Sequence, residues 1–366
     1  MLTVTAAWND VNIEMIIYAP SMSSGSLIRL IRSLERADYL GSVPSLTIEL
    51  PQHVEPELLN VLRDLKWPSP SSSKVTVRRR VQAHDTTPAE SSAWTTESFY
   101  PRDPNTNHVL VLSPQAELAP SFYHYLKYTI LKYKHECEAN SKLLGISLDL
   151  PTSNPTADDA PFSPPSGKEG EPQALPHFLW QAPNSNAALY FGDKWAEFHS
   201  FLSHRLAVQE TKPEMFPPEE KKLVSKRYPA FMELLLELSL ARGYSMLYPS
   251  FIFQSTLSLA KAHEDLYQPP DEFLHDASSL AEDNDVDSLN HDDEPLPRQS
   301  IKKPVSTDST LATFLDGFSV ALPRLSSLDL LSFSGEVLSK DAFQHDTEEH
   351  AKRFQARYGA CCVGAV

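Results

Sequence analysis

Residues 108–150 place two apolar segments on either side of a long helical segment, in the sequence HVLVLSPQAELAPSFYHYLKYTILKYKHECEANSKLLGISLDL. The apolar runs His108–Leu112 and Leu143–Leu148 predict two buried strands. A polar turn with a single carboxylate, Glu117, follows the first of them. Open α/β sheets bind ligands at the carboxyl ends of their strands. The pattern therefore predicts a site beside Glu117 for an anionic ligand, with or without a bound metal ion.

The N-terminal part of the chain repeats this alternation of strand and helix. Asn12–Ala19 is a near-continuous apolar run typical of a buried strand, and Ser45–Leu50 predicts the next one. Lys74–Val81 alternates as a half-buried strand does. Between the strands, Leu27–Leu34 and Glu57–Leu65 carry apolar residues at helical spacing. Strands joined by crossover helices at short spacing predict an α/β fold.

Folded patterns continue after residue 176. The segments with strand or helix patterns are the strands His177–Leu179, Ala187–Phe191 and Tyr244–Pro249 and the helices Lys194–Ala207 and Pro229–Arg242. Gly243 follows the last helix and is its expected C-cap.

The composition limits the classes of function. The net charge of −16 comes mainly from residues 264–294, which hold twelve Asp or Glu and no Lys or Arg. No basic face of the kind that binds a phosphate backbone is visible, so we expect no nucleic-acid partner. The three cysteines have no disulfide or metal-ligand spacing. Neither GxG nor GxxxxGK[ST] occurs, which argues against dinucleotide and P-loop sites.

No apolar run reaches the roughly 18–20 residues that a membrane span needs. The first residues, MLTVTAAWND, lack the positive and apolar regions of a signal peptide. We therefore expect no transmembrane segment in this chain.

Two clusters could carry chemistry, and each has a structural alternative. The loop 21–25, with Ser21 and Ser23, could present backbone N–H groups to a phosphate or could cap the following helix. Glu233 and Glu237 lie four residues apart on an otherwise apolar helix. One of them could act as a general base through a raised pKa, or both could mark the solvent side of the helix.

An ordered set of motifs resembles fungal members of the glycosyltransferase family 2-like group, which have the GT-A fold. The motifs, within about residues 10–255, are SLIRLIRSLERADYLG, SLTIEL, HVLVLSPQAELAPSFYHYLKYTILKY, GISLDLP, LYFGDKWAEFHSFLSHRL and PAFMELLLELSLARGYSMLYPSF. The resemblance implies a Rossmann-like mixed sheet flanked by helices. It also implies transfer of a sugar from a nucleotide-diphosphate donor to a hydroxyl of a glycan, lipid or protein acceptor. Members commonly act in the secretory pathway, in the Golgi or ER.

The same resemblance assigns roles to residues on the donor side. Family members hold a divalent cation with an Asp-x-Asp turn, whereas this chain has Ser-Pro-Gln-Ala-Glu, with Glu117 as its one acid. A single carboxylate with phosphates and water could hold Mn²⁺ or Mg²⁺ weakly, or Glu117 could be a solvated turn acid. Glu49 stands where the family contacts the nucleoside base. The cleft is expected near Ser21, Glu49 and Gln115–Glu117.

On the acceptor side, Trp180, Gln181 and Tyr190 stand where the family forms its acceptor loop. Aromatic rings stack on sugars, but large apolar residues also belong to cores. The helix with Glu233 and Glu237 is expected near the same side of the cleft. The degenerate acidic turn leaves an alternative, a catalytically inactive relative that binds a glycan or a protein.

The expected domain organisation has three parts. Residues 8–260 form the GT-A-like domain, within which 151–176 are a proline-rich loop or insertion. Residues 264–307 form an acidic disordered linker, too polar to fold alone. Residues 308–366 form a small C-terminal appendage.

Overall fold

The computed structural model describes the chain over residues 8–19, 21, 24–68, 74–80, 87–135, 142–156, 160–165, 177–216, 222–250, 259–263, 265, 267–273 and 322–359. Ser23 lies outside these residues. So do 166–176 of the proline-rich stretch and 274–307 of the acidic stretch. The structural statements below concern the described residues.

The helices and strands follow the predicted alternation. The strands are β1 (Asn12–Tyr18), β2 (Ser45–Leu50), β3 (Val75–Arg79), β4 (Asn107–Leu112), β5 (Ala116–Leu118), β6 (Leu143–Ser147), β7 (His177–Trp180), β8 (Ala187–Tyr190), β9 (Ser245–Pro249), β10 (Ala260–Ala262), β11 (Leu330–Leu331) and β12 (Val337–Leu338). The helices are α1 (Gly25–Glu35), α2 (Pro56–Asp64), α3 (Pro88–Glu97), α4 (Phe122–His135), α5 (Gly192–Thr211), α6 (Phe231–Arg242) and α7 (Lys340–Tyr358).

Ten strands form one sheet in the order β12-β11-β7-β9-β6-β8-β4-β1-β2-β3. β3, β2, β1 and β4 are mutually parallel, and β8 is antiparallel to both of its neighbours, β4 and β6. The remaining strands, β5 and β10, form a separate antiparallel pair. The predicted α/β class with a mixed sheet flanked by helices is confirmed.

Helices cover both faces of the sheet because its central strands are apolar on both sides. In β1, Met15 and Ile17 belong to the core that includes α1, α2 and α4, whereas Ile16 belongs to the core on the opposite face. The second core includes α3, α5, α6 and α7. This alternation fixes the register of β1, since a shift of one residue would exchange its two faces.

Several local predictions agree with the structure, whereas the helices α3 and α7 were not predicted. Gly243 ends α6 with a positive φ of 65°, as expected for a C-cap glycine. β3 is mostly exposed at the sheet edge and not half-buried. α3 was missed because it has no clear apolar stripe. Its available signal was the capping box formed by Thr87 and Glu90.

The C-terminal residues extend the same sheet. β11 pairs with β7 in parallel, and β12 pairs with β11. α7 packs against α6, where Phe354 and Tyr358 are buried in the second core. No helix in the described part of the chain has the length and hydropathy needed to cross a lipid bilayer.

The sheet is tightest where β6 passes β8. A methyl group placed on Gly145 would lie 2.0 Å from the carbonyl oxygen of Leu189. Backbone atoms cannot relax by changing rotamer, so only glycine fits at this position. The contact holds the middle of β6 close to the last residues of β8, Leu189 and Tyr190.

We expect Gly145→Ala to lower the free energy of unfolding by roughly 3 kcal/mol, because overpacking a strand forces the backbone apart. Gly25→Ala is the matched control, since a methyl group there meets no atom within 4 Å. The control should change stability by less than about 1 kcal/mol. Urea unfolding of both variants measures the difference, and equal stabilities would contradict the close approach.

Candidate ligand-binding site

A cavity of about 390 Å³ opens at the carboxyl ends of β1, β4 and β6. We call it the sheet-edge cavity. Its wall includes Tyr18 at the end of β1, Gln115 after β4 and Asp149 after β6. The start of β8 contributes Asn186, because an antiparallel strand begins at the edge where its parallel neighbours end. Its position agrees with the edge that the sequence predicts.

Asp149 is the centre of a polar network in this cavity. Its side chain accepts hydrogen bonds from the amides of Asn184 and of Asn186, the latter at 3.1 Å. The hydroxyl of Ser147 donates to the Asp149 backbone carbonyl at 2.6 Å. Gln115 donates to Asn186 at 3.3 Å and so joins the β4 turn to the network.

Asp149 is 3 % exposed. Burial raises its pKa, although the hydrogen bonds from Asn184, Asn186 and Ser147 oppose the shift. The side chains that bind it, those of Asn184, Asn186 and Ser147, are neutral groups. A buried carboxyl with this environment accepts a proton more readily than an ordinary aspartate does.

Arg80, which follows β3, supplies a cation to the same cavity. Its guanidinium lies 5.6 Å from the centre of the Tyr18 ring and donates to the carbonyl of Ala19 at 2.8 Å. It also forms an ion pair with Asp271 at 3.3 Å, in which both side chains are less than one fifth exposed. The cation is therefore held in place by an aromatic face, a carbonyl and a carboxylate.

Residues 267–273, which we call the strap, close one side of the cavity. Tyr267 donates its hydroxyl to the carbonyl of Arg227 at 3.0 Å, and the Arg227 guanidinium lies 4.9 Å from the Tyr267 ring. Glu272 accepts from the backbone N–H of Ala230 at 2.9 Å. Phe273 is 7 % exposed. These contacts fix the strap against residues 227–230, the segment just before α6.

Glu117, the predicted metal ligand, lies on β5 and does not line the sheet-edge cavity. Its carboxylate contacts His263 Nε2 at 2.7 Å and faces a smaller cavity beside α1. Among the described residues no group of three or more His, Cys, Asp or Glu is arranged to hold a metal ion. The carboxylates that line the sheet-edge cavity, Asp149, Asp271 and Glu272, are therefore not grouped into a metal-ligand set.

The other predicted donor-side residues occupy different places. Gln115 lines the cavity. Ser21 contacts it through a hydrogen bond to Asp271 at 2.8 Å, and Ser23 is outside the described residues. Glu49 is buried at the end of β2 and pairs with Arg78 at 2.6 Å, away from the cavity wall.

Glu233 and Glu237 lie on a second cavity, between α5, α6 and α7. Glu233 accepts from the backbone N–H groups of Leu223 and Val224, and its pKa is raised chiefly by burial. Glu237 binds Arg205, Arg357 and Tyr358. Neither carboxylate lines the sheet-edge cavity, so their predicted catalytic role stays a prediction.

The predicted acceptor residues are interior residues. Trp180 is fully buried and stacks on Phe162 with ring centres 4.2 Å apart. Gln181 is 3 % exposed. Tyr190 is fully buried, and its hydroxyl donates to the carbonyl of Asn184 at 2.5 Å. Tyr190 thus supports the loop that binds Asp149 without lining the cavity itself.

Asp149, Arg80 and Asp271 were not identified from the sequence. Asp149 follows a predicted strand at the same edge as Gln115, so the rule applied to Glu117 could have selected it. Arg80 belongs to the run RRR, in which all three residues look equivalent. Asp271 lies in the acidic stretch, where no local signal marks the one carboxylate that enters a cavity.

The solved structures that are similar to this chain include three glycosyltransferases. TarS of S. aureus (residues 1–349) has 12% identity and a TM-score of 0.35, covering 66% of this chain and 58% of that one. GalNAc-T7 with UDP, GalNAc and Mn²⁺ has 9% identity and a TM-score of 0.40, covering 66% and 43%. The mannosyltransferase PcManGT from Pyrobaculum calidifontis, in complex with GDP-Man and Mn²⁺, has 10% identity and a TM-score of 0.35, covering 68% and 61%. The chain spans less than two thirds of each.

No curated protein sequence matches the chain. One family model does match it, over residues 25–211, which is just over half of its length and runs from α1 to the end of α5. The model is that of the SPBC1E8.03c C-terminal domain. The chain belongs to the SPBC1E8.03c C-terminal domain family.

Proposed function

We propose that the sheet-edge cavity binds a nucleotide-diphosphate sugar and that the chain transfers the sugar to a hydroxyl acceptor, as a GT-A-type glycosyltransferase. The observation that carries this proposal is the meeting of a buried carboxyl, Asp149, and a guanidinium, Arg80, on one cavity. That cavity lies at the carboxyl ends of β1, β4 and β6, the edge where open α/β sheets bind nucleotides. The motif resemblance described above supports the same reaction class.

The shape and lining of the cavity suit such a ligand. Its volume is within the range of about 300–1,000 Å³ typical of small-molecule sites. Tyr18, Trp94 and Tyr228 supply aromatic surface on which a base or a sugar ring could stack. Asn186 and Gln115 supply amides for hydroxyl groups.

We assign the proton-accepting role to Asp149. In the reaction the acceptor oxygen forms a bond to the anomeric carbon, and the bond from that carbon to the leaving diphosphate breaks. The hydroxyl proton passes to the Asp149 carboxylate. A carboxyl with a raised pKa is the better base near neutral pH, provided that it is within hydrogen-bond reach of the hydroxyl.

Asn184 and Asn186 hold the carboxyl in position, since each donates an amide hydrogen to it. The strap and the wall of α6 exclude water from the reacting groups. The described carboxylates of the cavity do not form a metal-ligand set, and the proposed steps use only the side chains of the chain itself. By the motif resemblance, we expect the acceptor to be a molecule of the secretory pathway.

The alternative is a non-catalytic relative that binds a glycan or a protein. The position of Glu117 favours it, because this acid contacts His263 and lies outside the cavity. Both functions use the same cavity, and they differ in whether a donor is consumed.

Calorimetric titration of the full chain with UDP and GDP, with and without Mn²⁺, tests the proposal. We expect one of the two nucleotides to bind without Mn²⁺, because the Arg80 guanidinium can pair with the charge of the diphosphate. Asp149→Asn should keep nucleotide affinity but lower the turnover of the donor by about 10²–10⁴-fold.

Glu117→Ala separates the two donor-site interpretations. Unchanged nucleotide binding in this variant supports the sheet-edge cavity, whereas Mn²⁺-dependent binding that the variant loses would support a metal role for Glu117. Absence of any nucleotide binding would contradict the transferase proposal and favour the binding module.

The buried carboxyl also predicts a pH dependence of stability. The pKa of Asp149 is raised in the folded chain above its ordinary value of 3.8. Between these two pKa values the folded chain holds a proton that the unfolded chain releases. The free energy of unfolding therefore falls as pH rises through this window and is unaffected below it.

Asp149→Asn cannot titrate, so wild type should gain stability relative to this variant as pH is lowered from about 7 towards about 4. Urea unfolding at a series of pH values measures the difference. A difference that does not change with pH would contradict the effect of burial on this carboxyl.

A further inference from the structure

We propose that Arg80, Ser21 and Ser26 form a phosphate subsite in the sheet-edge cavity and that the chain's own Asp271 carboxylate occupies it until a ligand phosphate displaces it. This inference rests on the proposed function, because the phosphate would belong to the donor. Beyond the proposed function, the inference names the residues that bind the phosphate and the carboxylate that competes with it.

The contacts of Asp271 are those of a bound anion. One carboxylate oxygen accepts from the Ser21 hydroxyl at 2.8 Å. The other accepts from the Arg80 guanidinium at 3.3 Å. Asp271 and Arg80 are 15 % and 17 % exposed, so the pair lies largely out of water. Phosphate oxygens accept hydrogen bonds from the same two donor types.

Two further donors at this cavity have no partner among the described residues. The Ser26 hydroxyl is buried, in a residue that is 4 % exposed and lines the cavity, and it makes no hydrogen bond. The Nε of Arg80 is likewise buried without a partner. A buried donor left unpaired costs free energy. A ligand with more acceptor oxygens than a carboxylate would satisfy both.

Ser26 lies in the first turn of α1, an eleven-residue helix. The positive end of a helix favours an anion, and the free hydroxyl is the independent sign that a ligand belongs there. The backbone N–H of Ser24 is already taken by the Glu55 carboxylate at 2.8 Å. The Ser26 hydroxyl and the Arg80 Nε are the side-chain donors without a partner here.

The strap can release Asp271 without unfolding the domain. Its other contacts, Glu272 with the N–H of Ala230 and Tyr267 with Arg227, are made to the segment before α6 and not to Arg80. A diphosphate carries more negative charge than one carboxylate and can bind a guanidinium in a bidentate manner. Ligand binding and the Asp271–Arg80 ion pair are thus mutually exclusive.

The test is calorimetric titration of inorganic diphosphate into the full chain, followed by UDP and GDP. Asp271→Asn should raise the affinity for diphosphate by about tenfold, because the competing anion is removed. Asp265→Asn is the control, because it removes the same charge from a carboxylate that is 74 % exposed and does not line the cavity, and it should leave the affinity unchanged. Ser26→Ala should weaken diphosphate binding several-fold without loss of stability, since its hydroxyl has no partner to lose.

Equal diphosphate affinity in wild type and Asp271→Asn would overturn the inference, as would full affinity in Ser26→Ala. Should Asp271→Asn fail to fold, the Ser26→Ala result decides alone. Tighter diphosphate binding in Asp271→Asn with no binding of either nucleotide would leave the subsite standing and remove the proposed function. Nucleotide binding that is unchanged in both Asp271→Asn and Ser26→Ala would overturn the phosphate subsite and leave the proposed function standing.

Discussion

The pairing of β8 between β4 and β6 is the constraint on which the site depends. β8 runs opposite to both neighbours, so the loop before it lies at the edge where they end. That loop carries Asn184 and Asn186, and its amides reach Asp149 for this reason alone. A strand parallel to β4 and β6 in the same place would end at the cavity edge, and the loop before it would lie at the opposite edge of the sheet. The direction of one short strand therefore determines the chemistry of the cavity wall.

The edge of the sheet that holds the cavity was predictable from the sequence, but most of its residues were not. Strand periodicity and the switch from strand to helix are local patterns, and they located the turn with Gln115 correctly. Arg80 and Asp271 are 191 positions apart and meet only in the fold. No local pattern records such a pair. Glu117 was predicted as a metal ligand because it is the one acid in the turn after a strand. In the structure, its strand β5 pairs with β10, and its carboxylate contacts His263.

The same distinction separates the elements that were predicted from those that were not. β1, β2, β4 and α6 have strong apolar periodicity, and their bounds agree with the prediction within about two residues. β5 was read as a polar turn because a three-residue strand is defined by its partner and not by its own side chains. α3, with Ser and Thr in place of an apolar stripe, is defined by its cap and its packing against α5 and α6.

The addition of β11 beside β7 has a consequence for how the protein reaches its native state. β7 ends at Trp180, and its partner Leu331 leaves the ribosome about 150 residues later. During synthesis the central strands can collapse first, while the backbone groups of β7 on that side stay open to solvent and to other chains. Pairings of such long sequence separation form slowly. β11 and β12 thus cover the edge of the sheet only late in synthesis. Truncated chains that lack them would expose β7 as an unpaired edge strand, to which other chains could add.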